Sequence, residues 1–424
     1  MSNLLERDKK VIWHPFSPLK GGFPTLPVKK AKGVYLELED GTQILDAISS
    51  WWVNMYGHGE QELADAFQEQ FSKIDHIIFS GFTHEPAIQL AENLIANIKG
   101  DFDKAFFSDD GSTSVEVALK IAIQYHHNLG KPKKKVISLD GAYHGDTFGA
   151  MSLAGKSDFF SAFNSFFFEV EQIPLPTKQN EREVVLQFET LCKAGEIAVF
   201  IFEPLLQGSA GMRAYSAKTL DQLIGIAKAN GVLTIADEVM TGFGRTGKLV
   251  AMEYCENTVD LMCLSKGITG GILPLGLTLI NEKVVSAFDS EDIKKTFYHG
   301  HSYTANPLTC AIAVKSLEIF LRDKTQNQIQ LINRCHLDFQ KEIIGHKKLE
   351  RVDVLGTVIA IEIKQQNTSY FNDLKFKIYN YFLERNILLR PLGNVIYIFP
   401  PYVITKEELT SIYTSIESFI KELD

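Results

Sequence analysis

Residues 232–271, VLTIADEVMTGFGRTGKLVAMEYCENTVDLMCLSKGITGG, hold the side chains best spaced for chemistry in this chain. The apolar run from Val232 to Ala236 reads as a buried strand that delivers Asp237 and Glu238 to its C-terminal edge. Leu261 to Leu264 reads as a second short strand, and Ser265-Lys266-Gly267 turns away from it. Ligands of an open α/β sheet bind outside the carboxyl ends of its strands, so Asp237 and Lys266 are expected at one edge. A lysine amine there forms a Schiff base with an aldehyde, and an aspartate keeps a heterocyclic nitrogen protonated.

That pair suits pyridoxal 5'-phosphate (PLP). An isolated Asp and Lys would more simply be a turn cap and a solvated loop residue. Here they stand with Gly242, Arg245, Asp260 and Gly270-Gly271, and the whole segment resembles the signature of the class III aminotransferases. The resemblance implies a PLP-dependent transferase of fold type I with Lys266 as the catalytic lysine and Asp237 on the cofactor ring.

The elements that must position these residues are legible as alternation. Ala105-Phe107, Val136-Leu139, Ala198-Phe202, Leu233-Ala236 and Leu261-Leu264 are strand-like, and Val115–Tyr125 and Thr219–Ala229 carry apolar residues at helical spacing. Alternation of this kind predicts βαβ units and a mostly parallel central sheet, an α/β fold. Near the start, VYLELEDGTQILDA reads as a hairpin turning at Asp40-Gly41. Near the end, helical patterns at Ala311–Leu321 and Leu374–Glu384 accompany strands at Val358–Ile363 and Val395–Ile398. We expect a large PLP domain over residues 55–310. A small α+β domain is expected from residues 1–54 and 311–424.

Ser108-Asp109-Asp110-Gly111-Ser112-Thr113 follows a strand and opens a helix, where free N–H groups and the helix dipole favour an anion. The same residues would serve as an ordinary N-cap. The family places the cofactor phosphate here, which implies Gly111 and Ser112 as its ligands, with the Thr113 hydroxyl as a further donor. Tyr143-His144-Gly145 resembles the family's YHG motif, with Tyr143 stacked on the cofactor ring and His144 a turn residue without a catalytic part. Glu203-Pro204 matches its EP motif, in which the glutamate orders the site and Gln207 approaches the cofactor. His299-Gly300-His301-Ser302 precedes Asn306-Pro307. In the family this segment reaches the cofactor phosphate of a neighbouring subunit, which implies a homodimer with shared sites, His301 and Ser302 on the cofactor and Gly300 near the substrate.

Trp13-His14-Pro15-Phe16, Ser49-Ser50-Trp51-Trp52, Arg390-Pro391-Leu392-Gly393, Tyr397 and Pro400-Pro401-Tyr402 occur together. They narrow the resemblance to the class III aminotransferases of biotin synthesis, which act on 8-amino-7-oxononanoate and usually take the amino group from S-adenosylmethionine. For a long keto acid, Arg390 would clamp the carboxylate with a bidentate pair. Trp51 would offer a flat apolar face, and Tyr143 and Tyr397 hydrogen bonds. Two positions depart from better-known relatives: Phe16 where they have Tyr, and His301-Ser302 where they have Pro-Thr. These leave the donor open between S-adenosylmethionine and lysine. Other ω-amino acid or diamine transaminases, or a PLP-binding module without turnover, are the rival readings. The phenylalanine-rich stretch Phe159–Phe168 is expected to be packing or a lid.

The net charge of −9 over 424 residues argues against nucleic acid or an anionic membrane as partner. No apolar run approaches the roughly 20 residues that span a bilayer. The charged start MSNLLERDKK lacks the apolar core of a secretory signal. Five scattered cysteines without metal-ligand spacing point to reduced thiols in the cytoplasm.

Overall fold

The computed structural model describes residues 3–155, 158–365 and 373–423. The chain divides into two compact units, residues 1–60 with 331–424, and residues 61–330. After a helix at Asn3–Val11, the first unit carries β1 (Val28–Lys32), β2 (Tyr35–Leu38) and β3 (Gln43–Asp46). The second carries β4 (Phe102–Ser108), β5 (Lys135–Leu139), β6 (Val170–Ile173), β7 (Ile197–Phe202) and a ribbon of β8 (Leu206–Gln207) with β9 (Arg213–Ala214). It continues with β10 (Leu233–Asp237), β11 (Leu261–Leu264) and β12 (Gly276–Asn281). The first unit is completed by β13 (Leu349–Leu355), β14 (Val358–Ile363), β15 (Ile387–Leu388) and β16 (Val395–Ile398).

The large unit is built on a seven-stranded sheet in the order β4-β12-β11-β10-β7-β5-β6. β10 runs parallel to β11 and β7, and β5 parallel to β7 and β6; β12 is antiparallel to both β11 and β4. Every residue of β7, β10 and β11 is buried, which is why these strands read as unbroken apolar runs and not as alternation. The helix Gly111–Asn128 lays Val115, Ala118, Leu119 and Ala122 into a core shared with Val199, Ile235 and Cys263. β6 and β12 are not among the strands expected from sequence. β6 (VEQI) is only four residues long and has one fully buried position. β12 begins at a glycine, a residue depleted in strands.

In the other unit, β2 and β3 form the expected hairpin, with Glu37 opposite Gln43 and the Asp40 carboxylate accepting the Thr42 N–H at 2.9 Å. β15 joins this sheet in parallel, pairing Ile387 with Leu45 and Leu388 with Asp46, so one sheet holds strands from both ends of the chain. A second sheet has the order β13-β14-β16. The helix Lys406–Glu422, closed at its start by a Thr405–Glu408 capping box, buries Leu409, Ile412, Ile416, Phe419 and Ile420.

The unit boundaries differ from those expected at 54/55 and 310/311. The helix Pro307–Leu321 packs against the helices Gln61–Phe71 and Glu85–Asn97 and against the turn Lys266–Thr269, so it belongs to the large unit. Residues 55–60 stay with the other unit, where His58 and Gly33 exchange backbone hydrogen bonds at 2.7 and 2.9 Å. Of the phenylalanine-rich stretch, the side chain of Phe159 lies outside the described residues. Phe148 packs edge-on against Phe163 and Phe166, and Phe160 against Phe167, an aromatic cluster over a 3-10 helix. Among the described residues, no helix is long and apolar enough to cross a membrane.

Candidate active site

Six strands of the large sheet run in one direction, and five of them end at the residues singled out above. β4 leads into Asp109–Ser112, β5 into Tyr143-His144, β7 into Glu203, β10 ends at Asp237 and β11 leads into Lys266.

Asp237 is 4% exposed, and its Oδ2 lies 2.6 Å from His144 Nδ1 while its Oδ1 accepts the Val239 N–H at 3.1 Å. His144 is itself buried, and its Nε2 has no hydrogen-bond partner among the described residues. His144, expected to be a turn residue, is therefore the partner of Asp237. The sequence signal was its place in the YHG motif, but the 93-residue separation hid the pairing. Lys266 opens a 3-10 turn at φ 45°, a left-handed conformation uncommon outside glycine. Desolvation holds its amine below the ordinary lysine pKa, against the opposing pull of Asp237 and Glu203.

Glu203 orders the neighbouring turns. Its Oε1 accepts the Tyr143 N–H at 3.1 Å and its Oε2 the Gly208 N–H at 2.8 Å. Burial pushes its carboxyl up to about 7. Burial also raises the Tyr143 phenol, with the Asp146 charge adding to the shift. Gln207 is fully buried; its Nε2 donates to the Asp140 carbonyl at 3.1 Å, and its Oε1 has no hydrogen-bond partner among the described residues. Glu116, which no sequence signal marked, accepts from the Thr147 hydroxyl at 2.5 Å and the Gly149 N–H at 2.7 Å. It thereby caps the helix that follows the Tyr143-His144 turn.

The Gly111–Asn128 helix begins with an Asp110 capping box: the Asp110 carboxylate accepts the Thr113 N–H at 2.8 Å, and the Thr113 hydroxyl accepts the Asp110 N–H at 3.0 Å. Thr113, expected to offer its hydroxyl to an anion, is thus committed to the cap, and its O–H donates to Asp109 at 2.9 Å. Ser112 faces the other way. Its Oγ accepts the Asp146 N–H at 3.2 Å, and a Cβ on Gly145 (φ 124°) would lie 2.1 Å from it. Gly111 is equally confined: a Cβ there would meet Val239 at 2.7 Å.

His301 Nε2 stands 4.0 Å from Asp109, beside this helix start, and the His301 N–H donates to Thr304 Oγ1 at 3.0 Å. Gly300 and Ser302 are exposed on this chain.

The remaining expected residues come together in the other unit. The Arg390 guanidinium lies 4.3 Å from the Trp51 ring and 5.5 Å from Phe23, and its Nε and Nη2 are buried without a hydrogen-bond partner among the described residues. Phe16 meets Trp51 edge-on at 5.4 Å, and Tyr379 packs on Phe23 at 4.2 Å. Tyr397 is 1% exposed, and its hydroxyl accepts from Trp52 Nε1 at 3.1 Å. Ser49, Ser50, Trp51 and Trp52 all have φ between 45° and 74°, a single left-handed turn that hydropathy gave no sign of. Each such residue costs roughly 1–2 kcal/mol against the right-handed conformation, so other contacts must hold the turn. Phe23 and Tyr379 were also missed, because apolar and aromatic residues near a chain end read as ordinary packing.

A mostly parallel sheet thus carries a lysine, an aspartate and a helix start along one edge, and the chain belongs to the class-III aminotransferase family, whose pattern matches residues 18–420. It is 42% identical over 420 residues to the adenosylmethionine-8-amino-7-oxononanoate aminotransferase of Synechococcus elongatus, covering 97% of this chain and 99% of that one. The crystal structure of the enzyme of that name from Methanocaldococcus jannaschii superposes with a TM-score of 0.93 at 34% identity, covering 100% of this chain and 99% of that one. An amine transaminase from an uncultivated Pseudomonas species, solved in the PLP-bound form, superposes with a TM-score of 0.91 at 26% identity, covering 98% and 99%.

Proposed function

We propose that this chain is the PLP-dependent aminotransferase of biotin synthesis that converts 8-amino-7-oxononanoate to 7,8-diaminononanoate, with S-adenosylmethionine as amino donor. The full-length similarity to enzymes of that name supports the reaction. The observation that carries the acceptor is Arg390, seated against two aromatic rings with two buried nitrogens, Nε and Nη2, that have no hydrogen-bond partner among the described residues, a fork suited to a carboxylate.

The residues present fit PLP. The lysine amine, the His144-backed Asp237 carboxylate and the tight Gly111-Ser112 helix start supply partners for an aldehyde, a pyridinium nitrogen and a phosphate. Two buried polar atoms nearby, His144 Nε2 and Gln207 Oε1, have no partner among the described residues. When bound, PLP draws electrons from the substrate carbon that bears the amine. Asp237 would hold the ring-nitrogen proton, and His144 fixes the Asp237 carboxylate through Nδ1. Tyr143 would cover the ring face. Lys266 Nζ, its amine held by desolvation below the ordinary lysine pKa, would take the proton from the reacting carbon and return it two atoms along, on the far side of the nitrogen. Arg390 would hold the acceptor's carboxylate, with Trp51 along its methylene chain.

A homodimer belongs to this reading, with Gly300, His301 and Ser302 serving the partner's site; the exposure of Gly300 and Ser302 on the single chain supports it. A cytoplasmic setting belongs to it too, supported by five free cysteines.

The test follows the absorbance of the PLP form mixed with S-adenosylmethionine or with lysine, then with 8-amino-7-oxononanoate. Bleaching by S-adenosylmethionine and recovery with the keto acid are expected. Bleaching by lysine alone would overturn the donor. No recovery with the keto acid would overturn the acceptor.

A further inference from the structure

Arg390 stacks on Trp51, and Trp51 sits on a backbone turn that its own residues disfavour. The question is what holds it. Asp46, the last residue of β3, is 0% exposed. Its Oδ1 accepts the Ile48 N–H at 3.1 Å; its Oδ2 accepts both the Ser50 N–H and the Ser50 hydroxyl at 2.7 Å and lies 3.4 Å from His58 Nε2. The left-handed turn Ser49–Trp52 is thus wrapped around one carboxylate. Its far side is tied by the Ser49 hydroxyl donating to the Phe399 carbonyl at 2.7 Å and by Trp52 N–H donating to the Ile48 carbonyl at 2.8 Å. The register of the sheet brings the two halves together. Asp46 pairs with Leu388, and the Ala47 N–H donates to the Leu388 carbonyl at 3.2 Å, two residues before Arg390.

We infer that Asp46 is a positioning residue for acceptor recognition: it holds Ser49–Trp52 in the left-handed turn that seats the Trp51 ring on the Arg390 guanidinium. This rests on the reading of Arg390 as the carboxylate clamp. Both oxygens are needed as acceptors, because the Ile48 N–H donates to one and the Ser50 N–H and hydroxyl to the other. An amide keeps the shape of the side chain but replaces one acceptor with a donor. In Asp46→Asn the turn should relax, the indole should leave the guanidinium, and Arg390 should lose its fixed plane. The effect should fall on binding of the keto acid and spare the Lys266 site.

The experiment measures KM and kcat for 8-amino-7-oxononanoate at saturating donor, on PLP-loaded wild type, Asp46→Asn, Arg390→Ala and the double variant. Asp46→Asn should raise KM about tenfold, a difference of about 1.4 kcal/mol, with kcat and PLP absorbance largely retained. In the Arg390→Ala background it should add little further, because residues that act through one another are non-additive. A full additional rise in the double variant, or an unchanged KM in Asp46→Asn beside a raised KM in Arg390→Ala, overturns the positioning role alone. An unchanged KM in Arg390→Ala overturns the clamp itself, and this inference with it. Should Asp46→Asn fail to retain PLP, Ser50→Ala carries the same test. It removes one donor to Oδ2 and should raise the keto acid KM by a smaller factor; no rise would count against the inference.

Discussion

His144 Nδ1 and Asp237 Oδ2 lie 2.6 Å apart, both buried, at the C-terminal ends of two strands of one sheet. A carboxylate this enclosed needs a donor, and the imidazole supplies it while leaving Asp237 Oδ1 to the Val239 N–H. A short, charge-assisted bond of this kind fixes the direction of the carboxylate as well as its charge.

Replacing His144 should therefore weaken the site without dismantling it. His144→Phe leaves Asp237 short of one hydrogen bond to a charged group, a loss of about 1.5–3 kcal/mol. PLP affinity should drop by one to two decades in an equilibrium titration, and His144→Asn, which keeps a donor, should recover part of it. Asp237→Asn should hurt turnover more than affinity, by about a hundredfold or more, the scale of losing one preorganised electrostatic group. Equal losses of kcat in the histidine and aspartate variants would contradict this division of labour.

The depressed pKa of Lys266 has its own signature. A lysine held below its ordinary value is a free amine at lower pH, so the apo protein should capture PLP faster as pH rises and level off below the usual lysine range. Stopped-flow absorbance across pH would show it. A rate still climbing through the ordinary lysine pKa would mean that the amine is solvated. Lys266→Ala should bind PLP without the covalent absorbance change and should transfer no amino group.

What the sequence disclosed depended on how local each signal was. Asp237 and Lys266 stand next to apolar runs that end abruptly, so their places at strand ends were legible, and Gly111-Ser112 sits where a strand meets a helix. The partnership of His144 with Asp237 and that of Trp51 with Arg390 cross long stretches of chain, so neither leaves a local pattern. The Ser49–Trp52 turn was hidden for a different reason. Its left-handed backbone is wrapped around Asp46 and carries no glycine to announce it. β12 escaped notice because it opens on a glycine and runs against its neighbours.

Gly145 offers a test of the proposal that the Gly111-Ser112 helix start holds the cofactor phosphate. Its φ is 124°, and a side chain there would bring its Cβ within 2.1 Å of Ser112 Oγ, so only glycine fits. Gly145→Ala must either move Ser112 or distort the Tyr143-His144 turn, at a cost on the order of 1–3 kcal/mol. PLP affinity should drop about tenfold or more, and added inorganic phosphate should compete less well than in wild type. Unchanged phosphate competition would place the anion elsewhere.

His336 is 0% exposed, its Nδ1 lies 2.7 Å from the Tyr413 hydroxyl and its Nε2 3.1 Å from the Thr357 carbonyl. Burial pushes its pKa down from the ordinary value of 6.5 to about 4. Between those two values the unfolded chain takes up a proton that the folded chain refuses. Stability from this residue is therefore complete above about pH 6.5 and is lost as pH falls toward 4, by on the order of 3 kcal/mol. His336→Gln, which cannot ionise, should be less stable than wild type near neutrality if one hydrogen bond is lost, yet should lose less Tm on acidification. Thermal melts from pH 7 to pH 4 would compare the two slopes. Parallel slopes would show that acid sensitivity of this unit arises from other groups.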